Sequence, residues 1–166
     1  GGTSAGYMKS GRIQPLADET AVALARKRAV SAATHWLGRA EWHVTNMPET
    51  TLSLQSQTGL CVIDTLTARI SPRRAIASLV AALKAMQAEI SADAGPIGPV
   101  IWATGAAGLE ALTKALDRPM GNGIKGQAAL LQLPAPLDPQ IFADSLHVVP
   151  HSDGTVGIGS TSERVY

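Results

Sequence analysis

The sequence predicts an α+β protein, with a largely antiparallel, mixed β-sheet and helices packed on one face, plus a short α/β element. Three observations carry this prediction. Two stretches place apolar residues at helical spacing behind a capping residue, several short β-rich runs are separated by Pro and Gly, and HVVPHSDGTVGIG alternates around an Asp-Gly turn. Strands outnumber helices in the order of runs, so the helices lie on a sheet rather than alternating strictly with parallel strands.

Tyr7 to Leu16 forms a first strand, broken by Gly11 and closed by Pro15. From Asp18 to about Trp36, Val22, Ala25, Ala29, Ala33 and Trp36 share one helical face, with Asp18 as N-cap and Glu19 in the first turn. Glu41 to Thr45, Thr51 to Leu54 and Leu60 to Asp64 read as an antiparallel meander. Ser71 and Pro72 then open a helix whose stripe is Ile76, Leu79, Val80, Leu83, Met86 and Ile90. VIWATG (Val100 to Gly105) reads as a buried strand ending at a glycine, followed by a helix with Leu109, Leu112 and Leu116 on one face. Gly126 to Leu133, Leu146 to Val149 and Thr155 to Ile158 are strands, the last two joined through Ser152-Asp153-Gly154.

At 166 residues, with 45% apolar and 16% charged residues, the chain suits one globular domain that buries a core. Lys plus Arg number 14 against 13 Asp plus Glu, and the only basic clusters are Arg26-Lys27-Arg28 and Arg73-Arg74, so no nucleic-acid footprint emerges. No apolar run approaches the roughly 18 residues of a membrane span, and a soluble protein is expected. The single cysteine, Cys61, lies in the apolar run LCVI and reads as a buried small hydrophobe in a reducing, cytoplasmic setting. GGTSAGYMKSGR has neither an initiator Met nor an apolar signal core, so the chain is expected to start inside a longer polypeptide. The apolar hairpin at the other end needs neighbours on its face and edges, so that end also reads as cut. A sheet edge exposed in this way favours self-association into a homo-oligomer.

The residues taken singly select no chemistry. His147 and His151 are four apart, but on a strand running into Pro150, where the helical chelating geometry is lost, so no metal site is expected. His35 and His43 flank tryptophans as packing edges. No GxSxG elbow supports a nucleophilic serine. Gly105-Ala106-Ala107-Gly108 lacks the full GxGxxG and, alone, reads as a packing turn.

Taken in order, GRIQPLAD, SPRRAIASLVAALKAMQAEI, VIWATGAAG, GNGIKGQAALLQL and HVVPHSDGTVGIGSTSE resemble the FAD-dependent glycine oxidase and D-amino acid oxidase family over nearly the whole chain. The most specific part is the ordered set of ATG turn, KGQ strand and VP-x-x-DG-x-x-x-x-GST-x-E hairpin. The resemblance implies that residues 1–166 are a single compact fragment, mostly the substrate-binding domain, with residues 72–116 contributing to or abutting the FAD-binding domain. It implies that Ala103, Thr104 and Gly105 are the strand end approaching the cofactor, where small residues let the backbone come close. It implies that His147 stands where glycine oxidases have a substrate-facing tyrosine, and that Ser162 lines the same pocket. His151 stands in place of an arginine frequent in the family and is given no catalytic role.

The activity so implied, for the full-length protein, is oxidation of the C–N bond of a small amine or amino acid by hydride transfer to FAD. The family's pyrophosphate loop and carboxylate-gripping arginine lie upstream and downstream of the segments matched, so this fragment alone is expected to be inactive and to need the remaining FAD-binding segments of the same polypeptide. Histidine in place of tyrosine keeps a hydrogen-bonding ring but changes its size and titration, which leaves the substrate open. The alternative is a non-catalytic small-ligand-binding or assembly module without flavin.

Overall fold

Asp18 begins the first helix as its capping role requires. Its carboxylate accepts the Ala21 N–H at 2.7 Å, and α1 runs from Glu19 to Trp36. The computed structural model describes residues 4–50, 52–93, 95, 97–133 and 139–164 of the chain. The chain also forms seven strands: β1 (Arg12–Pro15), β2 (Trp42–Asn46), β3 (Leu60–Asp64), β4 (Ala128–Gln132), β5 (Gln140–Ala143), β6 (Leu146–Pro150) and β7 (Thr155–Gly159). They form one mixed sheet in the order β2-β3-β1-β5-β6-β7-β4, in which β1 and β5 are parallel and the other pairs antiparallel. This is the expected α+β class.

The core is built where α1 meets the first three strands. Leu16, Val22, Ala25 and Val62 are buried together, with Trp42, Val44 and Leu60 packed against them. Trp42 also donates its indole N–H to the Ala25 carbonyl at 3.0 Å, which anchors β2 to the helix. Cys61 is fully buried in β3, as expected, and burial pushes its thiol pKa up because the thiolate would lose its hydration. Residues 65–71 tie the two halves of the sheet together. Arg69 is buried, donates from Nη1 to the Pro150 carbonyl and from Nη2 to Met8 Sδ, while Gln140 Nε2 donates to the Ala68 carbonyl at 3.2 Å.

Several elements differ from the sequence reading, each for a local reason. Residues 52–54 are not a strand: Ser53 adopts a left-handed φ of 48° and donates its N–H to the Thr50 carbonyl, so the chain turns there, and Thr51 lies outside the described residues. The second helix, α2 (Pro72–Ala85), starts where Ser71-Pro72 predicts but stops short of Ile90. Gln87 takes a φ of 62°, its N–H bonds the Lys84 carbonyl and the Ala88 N–H bonds the Leu83 carbonyl, a paired left-handed cap that ends the helix. Residues 100–104 are irregular and exposed rather than a buried strand, and only α3 (Gly105–Leu116) forms from that α/β element. A buried strand needs hydrogen-bonded neighbours, and no described strand pairs with these residues. Finally, β5 was not anticipated at all, although it joins the β1 half of the sheet to the hairpin half.

Neither α2 nor α3 buries a residue. The apolar stripe of α2 is open to solvent, with Ile76 at 63%, Leu79 at 64% and Met86 at 79% exposure, and Ile101 and Trp102 are open as well. Among the described residues no helix is long and apolar enough to cross a membrane.

Candidate functional site

The strand register puts one row of side chains across the sheet. Trp42 pairs with Asp64, Asp64 with Arg12, Arg12 with Gln140, Phe142 with His147, His147 with Gly159 and Gly159 with Ala128. Side chains directly opposite share a face, as do positions two apart on a strand. The row therefore lies on the face that α1 covers over β2, β3 and β1, and His147 sits on the same face further along, half-buried.

The Asp-Gly turn forms as expected. His151 N–H donates to the Thr155 carbonyl at 2.7 Å, Gly154 has a φ of 80°, and the Asp153 carboxylate accepts the Thr155 hydroxyl at 2.7 Å and its N–H at 3.1 Å. These two bonds, the hydroxyl first, hold the Asp153 pKa below the ordinary carboxylate value. A carboxylate so depressed stabilises the fold above its unfolded-state pKa and loses that contribution as pH falls through its folded-state pKa. An NMR titration of Asp153 is therefore expected to give a midpoint below that of an unstructured aspartate, and Asp153→Asn to remove this acid-side dependence of the hairpin. A midpoint at the unstructured value would mean that the turn bonds are not held in solution.

The two sequence signatures GST and KGQ meet at the far end of this hairpin. Thr161 donates its N–H to the Gln127 carbonyl at 3.1 Å and accepts the Gln127 N–H on Oγ1 at 3.0 Å. Lys125 and Glu163 exchange backbone bonds of 3.0 and 2.8 Å, and their side chains pair at 3.6 Å. Gly159 is required there, since a Cβ on it would fall 2.7 Å from Ala128 Cβ. Ser162 lies within this clasp, between Thr161 and Glu163, and is exposed, three residues beyond the partner of His147.

Ala103, Thr104 and Gly105 lie apart from that cluster, at the start of α3. Thr104 is the N-cap residue but makes no side-chain cap bond, and Gly105 takes a φ of 66° with nothing within 4 Å of where its Cβ would be. The Thr104 side chain fills the place a Cβ on Gly108 would take, so the GAAG turn needs glycine there. Among the described residues no hydrogen bond, ion pair or ring contact joins 103–105 to His147 or Ser162.

Sequence reasoning missed three residues of the row. Asp64 is buried in β3, where its Oδ2 accepts Arg12 Nε at 3.0 Å and its Oδ1 accepts the Thr67 N–H at 2.8 Å and hydroxyl at 2.5 Å. The Arg12 guanidinium lies 6.0 Å from the Trp42 ring centre and 5.8 Å from that of Phe142. Phe142 is the chain's one phenylalanine, and that scarcity was the available signal. His43 and His35 are edge residues, as expected: His43 lies 2.9 Å from Glu41, and His35 Nδ1 donates to the Ser31 carbonyl at 2.7 Å.

No family model matches the chain, and no curated protein matches it. Solved structures do. Glycine oxidase from Geobacillus kaustophilus aligns with a TM-score of 0.72 and 18% identity over 98% of this chain and 50% of its own. The fold is that of about half a glycine oxidase chain. Iminodiacetate oxidase from Chelativorans sp. BNC1 aligns with a TM-score of 0.77 and 19% identity, over 98% of this chain and 51% of its own. L-amino acid deaminase from Proteus vulgaris gives a TM-score of 0.72 at 13% identity, over 96% and 44% respectively. The glycine oxidase-like fold thus extends over nearly all of this chain, which spans about half the length of each structure it matches. The fold expected from that family resemblance is the fold the chain adopts.

Proposed function

We propose that the chain is the substrate-binding portion of an FAD-dependent oxidoreductase that oxidises the C–N bond of a small amine or amino acid. One observation carries this reading: the KGQ and GST segments are clasped together beside His147 in a chain with a glycine oxidase-like fold. Glycine and iminodiacetate, the compounds for which two of the similar proteins are named, are both small amines bearing carboxylates, which supports that substrate class.

The residues assigned to the cofactor fit a group that comes close to the backbone. Gly105 has open space where a side chain would stand, and Thr104 leaves the first-turn N–H groups of α3 without a side-chain cap. Ala103, Thr104 and Gly105 would border the flavin, with residues 72–116 belonging to or abutting the flavin domain. The exposed apolar stripe of α2 supports that assignment, since a covered face explains its composition. When bound, the flavin supplies the acceptor for the hydride that leaves the substrate's α-carbon. The chain's own part is orientation: His147 offers ring nitrogens to the substrate from the open sheet face, and Ser162 adds a hydroxyl at the edge of the same pocket.

The full-length protein is expected to purify yellow, with flavin absorbance that bleaches when small amines or amino acids are added without oxygen. His147→Ala is expected to keep the flavin and lower kcat/KM roughly tenfold, the effect of losing a hydrogen bond of about 1–1.5 kcal/mol. Colourless full-length protein that no added flavin restores would sink this reading and favour a non-catalytic binding or assembly module.

A further inference from the structure

His147 has unequal neighbours along its row. On one side stands Phe142, its direct cross-strand partner, with ring centres 4.5 Å apart and planes inclined by 37°. On the other side stands Gly159, which has no side chain to brace an imidazole. No hydrogen bond to either ring nitrogen of His147 occurs among the described residues, so the stack on Phe142 is what orients the ring there. Phe142 is backed in turn by the Arg12 guanidinium at 5.8 Å, and Arg12 is held by Asp64 at 3.0 Å.

From this chain of contacts we infer that Phe142 is the positioning residue for His147. It fixes the angle at which the imidazole meets the substrate, with Arg12 and Asp64 as its support. The inference rests on the functional reading above, in which His147 faces the substrate. It assigns a role to a strand that sequence reasoning did not find. A flat ring beside the imidazole and a glycine on its far side leave the ring nitrogens open, which suits a histidine that must touch a ligand rather than fill a core.

The test uses the full-length protein with Phe142→Leu, Phe142→Tyr, His147→Ala and the Phe142→Leu/His147→Ala double variant. Phe142→Leu is expected to raise KM about fivefold while kcat stays within about twofold, and Phe142→Tyr to restore the KM. In the His147→Ala background Phe142→Leu is expected to change KM no further, because its effect passes through the imidazole. A purely structural role would give equal losses in both backgrounds, and that result would overturn the inference. Proton NMR supplies a readout independent of turnover: the ring-current displacement of the His147 imidazole signals is expected to vanish in Phe142→Leu. Unchanged His147 signals would overturn the inference whatever the flavin content. Wild-type protein without flavin or amine turnover would instead overturn the functional reading, and with it the substrate role of His147.

Discussion

Asp64→Ala is expected to cost about 3–5 kcal/mol of folding stability, the range for breaking a buried ion pair by removing one partner. The carboxylate is 1% exposed and engages three donors: Arg12 Nε at 3.0 Å, the Thr67 N–H at 2.8 Å and the Thr67 hydroxyl at 2.5 Å. Alanine leaves the Arg12 charge uncompensated beside the core and orphans the Thr67 N–H, and both groups then bear a desolvation cost with no bond to offset it. Asp64→Asn keeps the volume and an acceptor for Thr67, so its loss should be clearly smaller. Urea denaturation of the three proteins measures the difference. A loss below about 1 kcal/mol for alanine would mean that water reaches this site and does the work assigned to the carboxylate.

Gly11→Ala is the second large effect, expected at about 2–5 kcal/mol. Gly11 holds a φ of 71°, and a Cβ there would lie 2.6 Å from the Asp64 carbonyl oxygen, a backbone atom that cannot swing aside. The left-handed conformation costs an L-residue about 1–2 kcal/mol, and forcing an atom into filled space adds about 1–3 kcal/mol. Its N–H also donates to the Thr67 carbonyl at 2.9 Å, so the strand cannot shift away without losing that bond. The variant should unfold at lower urea with an unchanged slope, and wild-type stability in Gly11→Ala would show that β1 enters the sheet differently from the geometry described. Gly38 makes a good control: it is equally left-handed at 72°, but nothing lies within 4 Å of a Cβ there, so alanine should cost only the conformational part.

Local chemistry explains which parts of the fold were legible. Asp18 before an apolar stripe, Ser71-Pro72 and Asp153-Gly154 act within a few residues of themselves, and α1, the start of α2 and the β6–β7 turn follow them. Residues 100–104 look like a buried strand because apolar content marks burial, but a strand also needs partners, which no local window contains. The end of α2 was misjudged because Gln87, an ordinary residue at a left-handed cap, carries no glycine signal. Four residues of QIFA between turn-forming neighbours were too short to declare β5, and with β5 went Phe142.

By itself the sequence determined the α+β class, the helix starts, the Asp-Gly hairpin and the motif order that marks a resemblance to flavin amine oxidases. These depend on spacing and on residues acting on their own backbone. Only the tertiary structure decided that β1 runs parallel to β5, that KGQ closes on GST, and that Trp42, Asp64, Arg12, Phe142 and His147 share one face. Those residues come from five strands, of which only β2 and β3, and β5 and β6, are neighbours along the chain. Their meeting is a matter of register, which is set by the whole sheet packing at once and has no counterpart in any short stretch of sequence.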